Sequence, residues 1–297
     1  MTQTAAQALQ DFAEIVKPNE PLAAYTFLKV GGPAEALVQP RSQEELAAVV
    51  RQCTRAKVPF RVLGGGCNVL VRDEGVPGVV LRLSEPAFTQ ISAQGKRIRA
   101  GAGAAIASFI SAAARQGLAG MEALVGIPGT IGGALRCNAG DRSGEIGQYV
   151  RSVEVLDESG QLQVRERDEL RFAYGWSNLD DPVLVAAEFD LEADQVDSIV
   201  KRLRKAWILR KASQPLTFQA AARIFKNPRG QSAAALLGQA GLAGTRVAGA
   251  EVSDRDANFI VAQPGTSARD ILRLMDMMRS RVREQTGVEL ELEISVW

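Results

Sequence analysis

Apolar and polar positions alternate along this chain with two different periods. Ser42 stands three residues before Glu45 as a capping box, and LAAVVRQCTRA repeats apolar residues at helical spacing, which predicts a helix from about 43 to 56. PFRVLGG (59–65) and GVVLRL (78–83) read as short buried strands separated by a glycine-rich turn. AAIASFISAAARQ (104–116) predicts a small-residue helix closed by Gly117, and RSVEVLD, QLQV and VLVAAEF supply strands of a further sheet. DQVDSIVKRLRKAWILRK has the pattern of a surface helix. The following RKASQPLTFQ breaks that pattern and marks a domain boundary.

Beyond the boundary an Ala-rich helix near 231–240 and the strand NFIVA precede a helix opened by Ser267, with Asp270 at its third position. That helix sets Ile271, Leu274, Met275, Met278 and Val282 on one stripe, the mark of a core-facing side. The terminal VELELEISVW alternates with period two and predicts a last strand.

Composition narrows the chemistry. At 297 residues the chain is longer than one hydrophobic core usually serves, so several α/β modules are expected. Its 35 basic and 34 acidic side chains, with 46% hydrophobic residues, are ordinary for a globular protein, and no basic run or aromatic surface points to nucleic acid. The first twenty residues lack the basic start and apolar run of a secretion signal, and no stretch reaches membrane-spanning length. Cys53, Cys67 and Cys137 are odd in number and far apart, which argues against a disulfide framework or a zinc site and for the cytoplasm. Histidine is absent, which excludes Ser-His-Asp triads, Cys-His dyads and most catalytic metal sites; no metal is expected.

Two glycine-rich segments carry the functional signal. Gly64, Gly65 and Gly66 lead into Cys67 and Asn68 directly after a strand. It is neither GxGxxG nor a Walker loop, and a tight structural turn explains it equally well, but such a loop can point consecutive N–H groups at a phosphate. The second segment, Gly126-Ile127-Pro128-Gly129-Thr130-Ile131-Gly132-Gly133, runs on to Asn138-Ala139-Gly140 and is a poor choice for packing and a good one for enclosing a diphosphate. Together they suggest a pyrophosphate cofactor held between two lobes.

With these loops in place, the chain from about residue 20 to 297 resembles the UDP-N-acetylenolpyruvoylglucosamine reductase (UDP-N-acetylmuramate dehydrogenase) family. The matching pieces occur in order: Thr26-Phe27 with Gly31-Gly32, GGGCNVLV, GIPGTIGGA with NAG, Phe172-Ala173-Tyr174, IFKNP, AGLAG with ANFIV, and the terminal LELEI. The resemblance implies an α+β protein of the shorter, type II form. It would pair a two-lobed FAD-binding fold of the vanillyl-alcohol-oxidase type with a C-terminal α/β substrate domain. The partition it suggests is an N-terminal helical segment at 1–20, an FAD-binding domain at 21–212 with lobes of about 21–84 and 85–212, and a substrate domain at 213–297. It implies NADPH as co-substrate, a sugar nucleotide as the small-molecule partner, and a monomer. Gly64, Gly65, Gly66, Cys67, Asn68, Gly126, Pro128, Gly129, Thr130, Gly132, Gly133, Asn138 and Gly140 would hold FAD, and Tyr174, Lys226 and Asn227 would meet the substrate. The bland reading of Lys226 and Asn227 is a loop turning at Pro228.

The resemblance also implies three catalytic roles: an Arg and a Glu that steady the charge developed on the substrate carboxylate, and a Ser or Cys that protonates C2. Glu293 is kept. The Arg expected after Tyr174 is Gly175, the proton donor is Arg223, the serine of the first glycine loop is Cys67, and a histidine before ANFIV is Asp256. Guanidinium groups do not release protons near neutrality. One expectation is that Arg223 holds the substrate carboxylate while water, Tyr174 or Cys137 protonates C2. The alternatives are a flavin- or sugar-nucleotide-binding pseudoenzyme and a different FAD oxidoreductase on the same fold.

Overall fold

The computed structural model describes residues 4–215 and 220–297. The described chain divides into two compact units. The first takes the residues up to Glu20, Ala34–Gly65 and Pro77–Ile208; the second takes Pro21–Pro33, Gly66–Val76 and Leu209–Trp297.

The first unit carries two larger sheets, of four and five strands. In one, β1 (Val16–Pro21), β2 (Pro33–Val38), β3 (Phe60–Val62) and β4 (Val76–Leu81) lie in the order β1-β2-β4-β3, with β3 and β4 parallel from Phe60 against Val79. The connection between β2 and β3 is α1 (Gln43–Ala56), with the bounds that its cap predicts: the Ser42 hydroxyl accepts from Glu45 N, and Leu46, Val49, Val50 and Cys53 are buried. The N-terminal stretch is helical only in short turns before β1 begins at Val16.

The other sheet contains β5 (Ile91–Gln94), β6 (Arg97–Gly101), β7 (Val150–Leu156), β8 (Leu162–Glu166) and β9 (Val183–Asp190), ordered β8-β7-β9-β6-β5 and antiparallel at every junction. Helix α2 (Ile106–Arg115) buries Ile106, Phe109 and Ala113 and ends at Gly117, whose φ is +65°. The short helix α3 (Ile131–Arg136) follows the second glycine segment. Every strand and helix that the sequence predicts here is present within a few residues. Helix α4 (Val196–Ser213) has the surface character expected of it, with Ile199 as its one buried residue. The predicted boundary in RKASQPLTFQ falls partly on 216–219, outside the described residues.

The second unit is built on β10 (Ala221–Arg223), β11 (Arg246–Val247), β12 (Ala250–Val252) and β13 (Phe259–Ala262), in the order β10-β13-β12-β11. Two helices accompany it: α5 (Ala233–Gln239), capped by Ser232, and α6 (Ala268–Thr286), whose capping box joins Ser267 and Asp270. The predicted stripe Ile271, Leu274, Met275, Met278 and Val282 is wholly buried in this unit's core.

The terminal VELELEISVW is not the continuous strand that its alternation predicts. It forms a single bridge from Leu292 to Phe225 and a two-residue strand, Ser295–Val296, parallel to Val69–Leu70. Its pairing with 224–226 stops because Pro228 has no N–H and the chain turns there, with Gln231 N donating to the Pro228 carbonyl. Leu292 is left 37% exposed, so the alternation does not describe one buried face.

A linear partition at 212/213 also differs from the contacts. Residues 66–76 join the second unit because Asp73 accepts from Ala268 N and Arg269 N at the start of α6, and Arg72 N donates to the Trp297 carbonyl. Among the described residues no helix is long and apolar enough to cross a membrane.

Candidate functional site

In the first unit the two glycine segments meet. A side-chain carbon placed on Gly64 would stand 2.6 Å from Thr130 Oγ1 and 3.9 Å from Gly133 N, so the approach requires glycine at 64. Thr130 is the N-cap of α3, where a threonine hydroxyl ordinarily accepts from the third N–H of the helix. Here that bond is not made: Thr130 Oγ1 is buried and has no partner. The N–H groups of Gly64, Gly129, Thr130 and Gly133 likewise donate to no acceptor among the described residues. An unpaired buried hydroxyl costs about 1–3 kcal/mol. Four free amides and that hydroxyl in one place suit a diphosphate, which offers only acceptors to donors of this kind.

Not every expected cofactor residue contributes to this cluster. Gly132 N donates to the Ala102 carbonyl at 2.8 Å, and Gly140 is packed against Gly144 in a hairpin register with Glu145. The Asn138 side chain is not a free donor. Its Nδ2 donates to Glu145 Oε2 at 2.6 Å and to the Ala173 carbonyl at 2.9 Å, and its Oδ1 accepts from Gly147 N at 3.0 Å. With φ at +48° and 3% exposure, Asn138 is a structural clamp. Gly126 and Pro128 fix the path of the loop into Gly129, with Ile127 N tied to the Leu124 carbonyl.

The remaining loop residues, Gly66, Cys67 and Asn68, belong to the second unit. Asn68 Nδ2 donates to the Glu293 carbonyl at 3.0 Å and the Asn68 carbonyl accepts from Ser295 N, so this amide binds the terminal segment to its own unit. Burial pushes the Cys67 thiol up to about 11.

Gly175 occupies the tip of a hairpin in which Phe172 pairs with Ser177 and Ala173 with Trp176. Its φ is +64°, a conformation that opposes an arginine at this position. Tyr174 stands 52% exposed at the same tip. Two residues that the sequence reading missed hold this region. Glu145 anchors Asn138, and Arg136 donates to the carbonyls of Leu179 and Asp181 while its own carbonyl accepts from Ser177 Oγ. Neither lies in a recognisable motif.

In the second unit Arg223, at the end of β10, sets Nε 3.2 Å from Glu293 Oε2. Glu293 is fixed through its backbone: its N donates to the Ile224 carbonyl at 2.8 Å. Burial pushes the Glu293 carboxyl above its ordinary range, and Arg223 and then Lys226 pull it partly back. Asp256, in the turn before β13, is pushed up by burial against the opposing pull of its bond from Asn258 N and of Arg223. Lys226 Nζ lies 3.9 Å from Glu291 Oε2. Asn227 accepts from Ala233 N at the first turn of α5, a structural contact. Asn258, 1% exposed, grips both the N–H and the carbonyl of Phe225 and so fixes the strand that carries Arg223.

The first unit thus has the form of a flavin-nucleotide-binding module, and residues 34–165 match the sequence model of an FAD binding domain. Residues 214–297 match that of the UDP-N-acetylenolpyruvoylglucosamine reductase C-terminal domain. The reductase of Moorella thermoacetica is 40% identical over 283 residues, 95% of this chain and 93% of that protein. The reductase of Heliobacterium modesticaldum is 37% identical over 98% of this chain and 93% of its own. The crystal structure of the reductase from Thermus caldophilus superposes with a TM-score of 0.81 at 37% identity, covering 95% of this chain and 98% of that one. The chain belongs to the UDP-N-acetylenolpyruvoylglucosamine reductase family, and its fold is the FAD-binding fold with a C-terminal domain that the sequence resemblance implies.

Proposed function

We propose that this chain reduces the enolpyruvyl group of UDP-N-acetylglucosamine enolpyruvate to the lactyl ether of UDP-N-acetylmuramate, a precursor of peptidoglycan, with FAD as resident cofactor and NADPH as reductant. Bound FAD would supply the two-electron redox chemistry that links NADPH to the enolpyruvyl group. The amides of Gly64, Gly129, Thr130 and Gly133 and the Thr130 hydroxyl would hold its diphosphate. Arg223 binds the substrate carboxylate, on which negative charge grows as hydride adds. Lys226 serves as a point charge for an anionic group of the sugar nucleotide, and Tyr174 offers its phenol to the same ligand.

The observation that carries this reading is the Arg223–Glu293 pair: it provides a guanidinium beside the retained acid even though position 175 has none. Substrate-dependent NADPH oxidation by the purified flavoprotein, with product heavier than substrate by dihydrogen, is the expected result. Stoichiometric flavin without any substrate-dependent oxidation would instead leave a binding protein. The reading also takes the chain as a cytoplasmic monomer. Light scattering should report 31.8 kDa plus one FAD.

A further inference from the structure

A carbanion-like centre at C2 needs a proton once hydride has reached C3, and in this chain position 223 is a guanidinium. The contact between Arg223 and Glu293 suggests where the proton comes from. Nε and Oε2 are 3.2 Å apart, yet Oε2 is buried and makes no hydrogen bond, so the two groups touch as charges without a directed bond. A free carboxylate can offer a guanidinium two parallel bonds, which is the stronger arrangement. The Arg223 side chain is 33% exposed and open to such a competitor, whereas the Glu293 backbone is held on both sides by Ile224 and Asn68.

We propose that the substrate carboxylate takes Arg223 away from Glu293, and that Glu293, left buried without its cation, binds a solvent proton and delivers it to C2. The proposal rests on the reductase reading. The charged groups acting on Glu293 are Arg223 from β10 and Lys226 from the segment that follows it; Asp256 approaches Arg223 from the turn before β13, and Glu291 engages Lys226. Burial already outweighs the two cations in setting the Glu293 carboxyl, so losing the nearer one tips it toward the protonated form.

The step balances. Hydride forms the C3–H bond, the C2–C3 π pair moves to C2, and C2–H forms as the Glu293 O–H breaks. Each turnover consumes one NADPH and one solvent proton. When product leaves, the Glu293 carboxylate pairs with Arg223 again.

The test is calorimetry of UDP-N-acetylglucosamine enolpyruvate binding to the oxidised holoenzyme without NADPH, in buffers of different ionisation enthalpy at neutral pH. Uptake approaching about one proton per substrate is expected, because binding raises the proton affinity of one group. Glu293→Gln should bind substrate with no uptake and lose about a hundred- to ten-thousandfold in kcat, with a much smaller change in KM. Asp256→Asn should retain the uptake. Buffer-independent heat in the wild type, or unchanged uptake in Glu293→Gln, overturns the proposal, as does loss of uptake in Asp256→Asn. If turnover persists in those cases, the reductase reading survives; absence of both binding and NADPH oxidation removes that reading as well.

Discussion

A side-chain carbon on Gly64 would stand 2.6 Å from the Thr130 hydroxyl, and that contact joins two loops about sixty residues apart. Gly64→Ala should therefore push the loops apart, because the Thr130 hydroxyl is itself buried on a short side chain at the N-cap of α3. The expected outcome is a loss of FAD affinity of at least about tenfold, equivalent to ~1.4 kcal/mol. Flavin-to-protein absorbance after dialysis and fluorescence titration of the apoprotein measure it.

Thr130→Val keeps the shape of the side chain and removes an oxygen that has no partner. The apoprotein should gain about 1 kcal/mol in stability, since a buried hydroxyl without a hydrogen bond is a net penalty. FAD should bind about fivefold more weakly, by loss of one hydrogen bond of ~1 kcal/mol. Denaturant melts of the apoprotein and flavin titration separate the two effects. A fall in apoprotein stability would mean that the hydroxyl is satisfied within the fold.

Asn138→Ala removes three hydrogen bonds and leaves Gly147 N and the Ala173 carbonyl short of partners. Stability should fall by about 2–4 kcal/mol. Among molecules that remain folded the FAD dissociation constant should change little. A variant of normal stability with poor flavin retention would return Asn138 to the cofactor.

Gly175→Arg puts a Cβ on a residue held at φ +64° and should cost about 1–2 kcal/mol. An arginine there is thus opposed by the local turn. Urea denaturation of the single variant measures the penalty; no penalty would mean that the hairpin rearranges freely.

The raised Glu293 carboxyl gives a stability signature with a definite sign. A carboxyl with a folded-state value above its unfolded one contributes stability that is full in acid and is lost as pH rises through the folded value. The window therefore opens above the ordinary 4.5 and extends upward. Thermal melts of Glu293→Gln should match the wild type in acid and exceed it at mildly alkaline pH.

Much of this protein was legible in one dimension. Helix α1 was set by Ser42 and Glu45, the buried stripe of α6 by its spacing, and the strands of the larger sheet by short apolar runs between turns, because each depends on neighbours a few residues away. The terminal alternation misled, since Pro228 ended the partner segment and left Leu292 without a face to cover. The glycine loops suggested a diphosphate site, yet their sequence could not say which donors were available. Asn138 has the right chemistry for a donor and is committed to Glu145, Ala173 and Gly147.

The sequence by itself determined the elements and the order of the motifs. Only the tertiary structure decided that Thr130 and Gly64 share one place, that Arg223 rests against Glu293, and that residues 66–76 belong with the C-terminal sheet. The reason is physical: helices and turns are specified by contacts of three or four residues, whereas the availability of a hydroxyl, an amide or a charge depends on which distant groups have already engaged it.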